Sequence, residues 1–463
     1  MREQIKRVFG TWLLIAVAVF GVSAPSYATQ QSKAAASPQE TVRSVVAKQA
    51  ALVSEFEVNG LKVLLKRREG SLTVAAGLFI RGGSTNISAE NAGIETLMLS
   101  VSTEATTNFP RAIMRRELSR MGTVIGSSSN NDYSVVSLAT TRMHFDRSWQ
   151  MFTDVVLRPA FTPEDVSLVQ KRLIVALSDD TDNPDVYLQK LQNRAAYAGH
   201  PYVNSTSGTM ESVARLNPEA LRGYHTKLME TSRLLLVIVG DLNPTDIRDR
   251  VAATFGKLPR GAYKAEAVPP LAFDKSSVEV TPRELPTNYI QGLFTAPSLT
   301  SPDIYAMRIA SSLLRDRVFE EVRVKRNLSY APDAFLRTQA ANVGGLYVTA
   351  VDANQSIRLM LNEIARLQTQ PVSGEDIHAV IAQYLTTYYL GQETNAAQAG
   401  ELAQYELIGG GWRNSIDFLE KLNAVTPADI QRVSQKYMKN IRFVVLGNPR
   451  SVDPTVFTGQ AGE

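Results

Sequence analysis

The sequence predicts an α+β protein made of two homologous halves, each an antiparallel sheet with helices packed on one face. Three observations predict it. Segments recur in the same order at a single offset of roughly 210 residues. Short apolar runs that read as strands alternate with longer stretches of helical periodicity. The chain's 463 residues, 44% hydrophobic and 20% charged, exceed one ordinary domain and are enough to bury two cores.

Four pairs of segments carry the recurrence. Phe161-Thr-Pro-Glu-Asp-Val166 matches Val372-Ser-Gly-Glu-Asp-Ile377, each opening an amphipathic helix. Asn217-Pro-Glu-Ala-Leu221 matches Thr426-Pro-Ala-Asp-Ile430, again at helix starts. The run from Arg233 to Gly240 matches Arg442 to Gly447, each a buried strand stopped by glycine. Gly77-Leu-Phe79 against Gly292-Leu-Phe294 is a weaker fourth pair. A shared order and offset make duplication the economical reading.

Taken in order, residues 1–28 have the pattern of an export signal. Arg2, Lys6 and Arg7 form a basic start, and Thr11 to Val22 an apolar stretch too short to span a bilayer comfortably. Ser26-Tyr27-Ala28 supplies the small residues that signal peptidase reads, so cleavage is expected after Ala28. This predicts a periplasmic or secreted protein with no stable membrane anchor. Residues 29–50, rich in Ala, Ser and Gln, read as a flexible spacer.

The N-terminal α/β domain is expected over 51–258. The segment from Phe56 to Lys66 reads as a strand pair turned at Asn59-Gly60, and 71–80 as a buried strand. Helices are expected over 89–105 and 111–121, then strands within 124–141. Further helices follow near 147–156, 163–182 and 184–198. Residues 259–276, with Pro, Gly and few apolar side chains, read as a linker. The C-terminal domain is expected over 277–450, followed by a polar tail over 451–463.

The chain has no cysteine, which excludes disulfides, thiolate chemistry and a cysteine-linked lipid anchor. A cysteine-free exported chain of this size fits a Gram-negative periplasm. Without residues 1–28, Lys and Arg exceed Asp and Glu by only about two. No basic run is interleaved with aromatics, so nucleic acid is not an expected partner.

Several segments, in order, carry a resemblance: Asn59-Gly60-Leu61, Gly82-Gly83-Ser84, Asp182-Asn183-Pro184, His200-Pro201-Tyr202, the strand over 234–241, and 319–330 (FEEVRVKRNLSY). Together they resemble the pitrilysin/insulinase-type zinc peptidases, the inverzincins. The resemblance covers nearly the whole chain after residue 50. It implies the pitrilysin/processing-peptidase-like form of the two-half fold.

Peptide-cleaving members carry H-x-x-E-H on the helix after the Gly-Ser turn. Two His one turn apart reach one Zn²⁺, and the Glu between them activates its water. Here the family's lead-in matches Gly93-Ile94-Glu95, and the motif falls on Thr96-Leu97-Met98-Leu99-Ser100. Thr96 and Ser100 replace the histidines, and Leu99 replaces the glutamate. The third-ligand position falls near Ala176. Hydroxyls are poor zinc ligands and Leu99 cannot act as a base, so no catalytic residue and no metal site is expected in this chain alone. The four histidines, His144, His200, His225 and His378, lack metal-like spacing. There is no G-x-S-x-G elbow either. His144, His200 and His225 read as loop or helix-surface residues.

What the resemblance preserves is Arg323 and Tyr330, seven residues apart. In the family, an Arg and a Tyr at this spacing reach from the C-terminal half into the cleft and hold the substrate's backbone carbonyl. A guanidinium and a phenol are donors suited to an oxyanion. Two departures from the pattern stand nearby: Asn327 where the family has Gly, and 311–317 without the family's Gly-rich turn. The resemblance therefore implies a zinc-less subunit of a heterodimeric peptidase. Its partners would be a zinc-bearing homologous subunit and a peptide or unfolded polypeptide. The zinc cofactor is expected in that partner subunit. A non-catalytic peptide-binding or scaffold protein of the cell envelope is the alternative.

Overall fold

In the computed structural model, which describes residues 47–459, the N-terminal half opens with a hairpin of β1 (Val53–Val58) and β2 (Leu61–Arg67). Its turn is Asn59-Gly60, both at positive φ (48° and 83°), as a two-residue hairpin loop requires. There follow β3 (Thr73–Arg81), α1 (Ile94–Ser102), α2 (Arg111–Met121), β4 (Val124–Ser129), β5 (Tyr133–Thr141), α3 (Phe145–Leu157) and α4 (Pro163–Asp182). Then come α5 (Pro184–Ala196), α6 (Pro218–Leu228), β6 (Leu234–Gly240) and α7 (Pro244–Ala253). The C-terminal half holds β7 (Ser277–Pro282), β8 (Asn288–Thr295) and α8 (Asp303–Val318), which runs into a π-helical turn over Phe319–Val324. It continues with β9 (Asp333–Leu336), β10 (Val343–Ala350), α9 (Ala353–Thr369) and α10 (Gly374–Gly391). It closes with α11 (Asn395–Ile408), α12 (Pro427–Tyr437), β11 (Arg442–Gly447) and α13 (Pro454–Thr458).

The duplication is written into both sheets. Their strand orders are β1-β2-β6-β3-β5-β4 and β7-β11-β8-β10-β9, so β2, β6, β3, β5 and β4 correspond to β7, β11, β8, β10 and β9. The repeated helix starts are capped alike. Thr162 and Ser373 accept from the amides of Asp165 and Asp376, and Asn217 and Thr426 from those of Ala220 and Asp429. Gly77 and Gly292 lie opposite the inserted strand, paired with Val237 and Phe443. A β-carbon on Gly292 would come 2.4 Å from the Phe443 ring, and one on Gly77 2.6 Å from that of Phe79. Glycine is what lets a ring lie flat on the sheet there.

The sheets depart from the sequence reading in two ways. First, each is antiparallel except at one pair: β2–β6 and β7–β11 run parallel. The strand that ends each half returns after a long helical crossover, which permits parallel insertion. Second, helices cover both faces. One face of the first sheet packs on α1, α3 and α6 through residues such as Leu97, Phe152 and Leu221. The other face, with Leu64, Phe79, Leu235 and Val237, is covered by Ala399, Leu402, Ala403 and Trp412, from α11 and just beyond. Reciprocally, Leu188 and Leu191 of α5 pack on Val444 and Leu446 of the second sheet. Each half thus supplies a helix to the other's sheet. Strand β6 is buried at every residue from Leu234 to Gly240. A strand apolar at consecutive positions needs cover on both sides.

Smaller corrections concern boundaries. The helix expected over 89–105 spans only Ile94–Ser102, because Gly93 stands at φ 90° and starts it afresh. The linker over 259–276 has no regular structure but is tied down. Phe273 is buried beneath the Arg442 guanidinium, 4.3 Å away, and the Pro269 carbonyl lies 2.9 Å from His200 Nε2. Pro454–Thr458, read as polar tail, is helical and buries Phe457 against the Phe443 ring at 5.2 Å. Residues 47–50, the end of the expected spacer, are helical. The expected export signal lies outside the described residues. No helix among the described residues is long and apolar enough to cross a membrane.

Candidate functional site

Helix α1 carries the positions where the resemblance places the zinc motif, and three of the five serve packing. Leu97 and Met98 are fully buried, and Leu99 is 2% exposed in the core. Thr96 Oγ1 donates to the Thr206 carbonyl at 2.7 Å, so its hydroxyl is spent on a loop. Ser100 borders a cavity of about 410 Å³ that also exposes Arg172 and Glu104, joined at 2.6 Å. Ala176, near which the resemblance places the third ligand, is exposed on α4. One free hydroxyl, a leucine and an alanine beside a guanidinium do not fit a zinc ion. Among the described residues, no group of three His, Asp or Glu side chains could hold a metal.

The residue at this helix that the sequence reading passed over is Glu95. It is 1% exposed and holds a buried polar network. Tyr224 donates to Glu95 Oε2 at 2.6 Å, Asn86 to the same oxygen at 3.2 Å, and Ser134 to Oε1. Arg233 donates to Asn86 at 2.9 Å while its guanidinium stacks 3.8 Å over the Tyr263 ring of the linker. Burial pushes the Glu95 carboxyl above its usual range and the Tyr224 phenol up as well. The signal was a lone charge inside an apolar helical run, with no hint of its partners.

Arg323 and Tyr330 come together. The Arg323 guanidinium lies 4.0 Å over the Tyr330 ring and 4.9 Å from that of Phe319. The π-helical turn sets this up: it widens the chain over 319–324, and the turn then closes with Asn327 N–H to the Arg323 carbonyl (3.0 Å) and Leu328 N–H to that of Val322 (2.9 Å). Asn327 sits at φ 51°, the left-handed conformation that asparagine tolerates better than most residues. It therefore fills the conformational role of the family's glycine. Tyr330 is 79% exposed, and Phe319 and Val324 are exposed beside it. The pair forms an open cationic–aromatic surface.

Two of the histidines take structural places. His200 Nδ1 accepts from the Tyr202 amide at 3.1 Å while Nε2 meets the Pro269 carbonyl. His225 Nε2 lies 2.7 Å from the Val156 carbonyl, so it braces α6 against α3 from a half-buried position rather than the helix surface. His378 is exposed on α10.

Comparison with known proteins agrees with this architecture. The model of the insulinase family (peptidase family M16) matches residues 62–210, and that of the peptidase M16 inactive domain matches residues 215–384. The chain is 22% identical over 408 residues to the mitochondrial-processing peptidase subunit beta of Blastocladiella emersonii, covering 84% of this chain and 87% of that one. It is 22% identical over 419 residues to a protein of Helicobacter pylori named non-peptidase homolog YmxG, covering 87% and 96%. A crystal structure of a peptidase M16 inactive domain from Pseudomonas fluorescens superposes with a TM-score of 0.79 at 18% identity, over 87% of this chain and 99% of that one. With both family models matched in succession and the duplicated fold reproduced, this chain belongs to the insulinase family of peptidases, family M16.

Proposed function

We propose that this chain is the zinc-less subunit of a heterodimeric peptidase, complementing a zinc-bearing homologous subunit and binding peptide substrate. The observation that carries the reading is an asymmetry. The motif positions on α1 hold Thr96, Leu99 and Ser100, while Arg323 and Tyr330 remain, stacked and open to solvent. In this reading the hydrolytic step belongs to the partner. Arg323 supplies N–H donors and positive charge, and Tyr330 a phenol, toward a substrate carbonyl on which negative charge develops. Stacking orders the guanidinium before substrate arrives, which lowers the cost of binding. That one relative is named a subunit of a processing peptidase supports the partnership. We place the pair in the bacterial envelope, following the export signal read over 1–28.

A second reading, a non-catalytic peptide-binding or scaffold protein of the envelope, is favoured by the relative named as a non-peptidase homologue. One experiment separates them. The purified mature chain is assayed for peptide hydrolysis with zinc, alone and mixed with the intact-motif homologue of the same organism. The first reading expects activity raised only in the mixture. A homologue indifferent to this chain would favour the second.

A further inference from the structure

A cavity of about 480 Å³ lies between α8, β9, α10 and α11. Helix α8 presents to it Arg308, Ser311, Ser312 and Arg315, spaced i, i+3, i+4 and i+7, so they form one polar stripe. Beside this stripe the helix is core: Met307, Ala310, Leu314 and Val318 are buried.

The cavity wall carries donors on several sides, one of them unpaired, and its second guanidinium, Arg315, lies 3.9 Å from Asp316. Ser311 is only 6% exposed, and its Oγ has no hydrogen-bond partner within the chain. A buried hydroxyl left unpaired is costly, so this one points to a guest in the cavity. Arg308 stacks 4.7 Å over the Phe418 ring and donates to the Tyr384 hydroxyl at 3.1 Å. Because Tyr384 accepts there, its own proton is left to donate. The Tyr405 hydroxyl also lies against Arg308. Two carboxylates also line the wall. Glu401 accepts from Tyr388 at 3.2 Å, and Asp333 is met by the backbone of Ala334.

We propose that this cavity binds a carboxylate, delivered by a peptide as its C-terminus or as an acidic side chain. Two guanidiniums and three hydroxyls converging on one space match a group with two acceptor oxygens and a negative charge. The site lies apart from the Arg323–Tyr330 surface and rests on the reading of the chain as a peptide binder. It would anchor one point of a substrate held elsewhere by that pair.

The test uses the mature full-length chain and three labelled peptides: acetyl-Ala-Ala-Ala with a free carboxylate, its C-terminal amide, and acetyl-Ala-Glu-Ala-amide. The free acid should bind about tenfold more tightly than the trialanine amide. Ser311→Ala, which removes the unpaired hydroxyl, and Tyr384→Phe, which also removes Arg308's acceptor, should each lower that affinity several-fold and leave the amide's affinity unchanged, with a native fold confirmed by circular dichroism. Glu-amide binding as tightly as the free acid assigns the site to any peptide carboxylate, and Glu-amide binding like the plain amide assigns it to the C-terminus. Equal affinity for all three peptides overturns the carboxylate site while leaving peptide binding intact. Absence of binding by all three also overturns it, and the mixing experiment with the zinc-bearing homologue then reports separately on the proposed function.

Discussion

Helices α1 and α8 hold the same place in the two halves. Each follows the strand that pairs antiparallel with the inserted one. Helix α1 touches β4, α4 and α6, while α8 touches the corresponding β9, α10 and α12. Yet α1 brings only Ser100 of its motif positions to a cavity, with Thr96 tied to a loop and Leu97, Met98 and Leu99 in the core, whereas α8 turns four polar residues onto one. Duplication preserves the apolar face that docks on the sheet. The other face differs: the first half keeps a single free hydroxyl there, Ser100, beside the paired Arg172 and Glu104, while the second presents a polar stripe.

The comparison can be broken most sharply by charging both helices. Leu99→Glu places an unpaired carboxylate in the core of the first half and should cost about 4 kcal/mol, read as a large fall in the denaturation midpoint. Ser312→Glu, facing the cavity, should cost less than about 1 kcal/mol. Equal losses would contradict the contrast. Next in size, Glu95→Ala strands the donors of Tyr224, Asn86 and Ser134 and should cost about 3 kcal/mol in the same assay. A loss under 1 kcal/mol would mean the network does not anchor α1.

The symmetry itself is tested by glycine. Gly292→Ala drives a methyl into the Phe443 ring and should destabilise by about 2 kcal/mol. Gly400→Ala, inside α11 with nothing near, should stabilise by about 0.5 kcal/mol. The smallest effect is a pH dependence. Glu401 is pushed from 4.5 to about 7, chiefly by burial, with Tyr388, Lys66 and Arg308 facing it and opposing the rise. A carboxyl that holds its proton more tightly when folded favours folding at low pH. Its contribution is therefore full below about 4.5 and is lost as pH rises toward 7. Glu401→Gln should flatten the fall in melting temperature across that window. An unchanged slope would assign it to other groups.

Much of this was legible in the sequence. The repeated helix starts carry their caps in plain view, Thr162 with Asp165 and Ser373 with Asp376, because capping is local chemistry. Asn59-Gly60 announced its hairpin for the same reason. The parallel insertion of β6 and β11 was not legible, since strand order is decided by partners far away in sequence. The cover on both sheet faces could have been read from the unbroken apolar run Leu234–Val239, which lacks the alternation of a half-exposed strand. At the candidate site, Thr96, Leu99 and Ser100 stand where the resemblance places the zinc motif, and their side chains are poor zinc ligands on their chemistry. The stacking of Arg323 on Tyr330 depends on a π-helical turn and on Asn327 at positive φ, which spacing does not encode. The polar stripe on α8 could have been counted out, but only packing reveals that it faces a cavity.

The central claim is that Arg323 and Tyr330 work for a partner's active site. The measurement is peptide hydrolysis by the zinc-bearing homologue with added wild-type, Arg323→Ala or Tyr330→Phe chain, each variant first matched for folding and for association with the homologue. The account predicts that wild type raises the rate and that Arg323→Ala loses most of the gain, about 100-fold, with a smaller loss for Tyr330→Phe. Variants that both raise the rate as wild type does would contradict it.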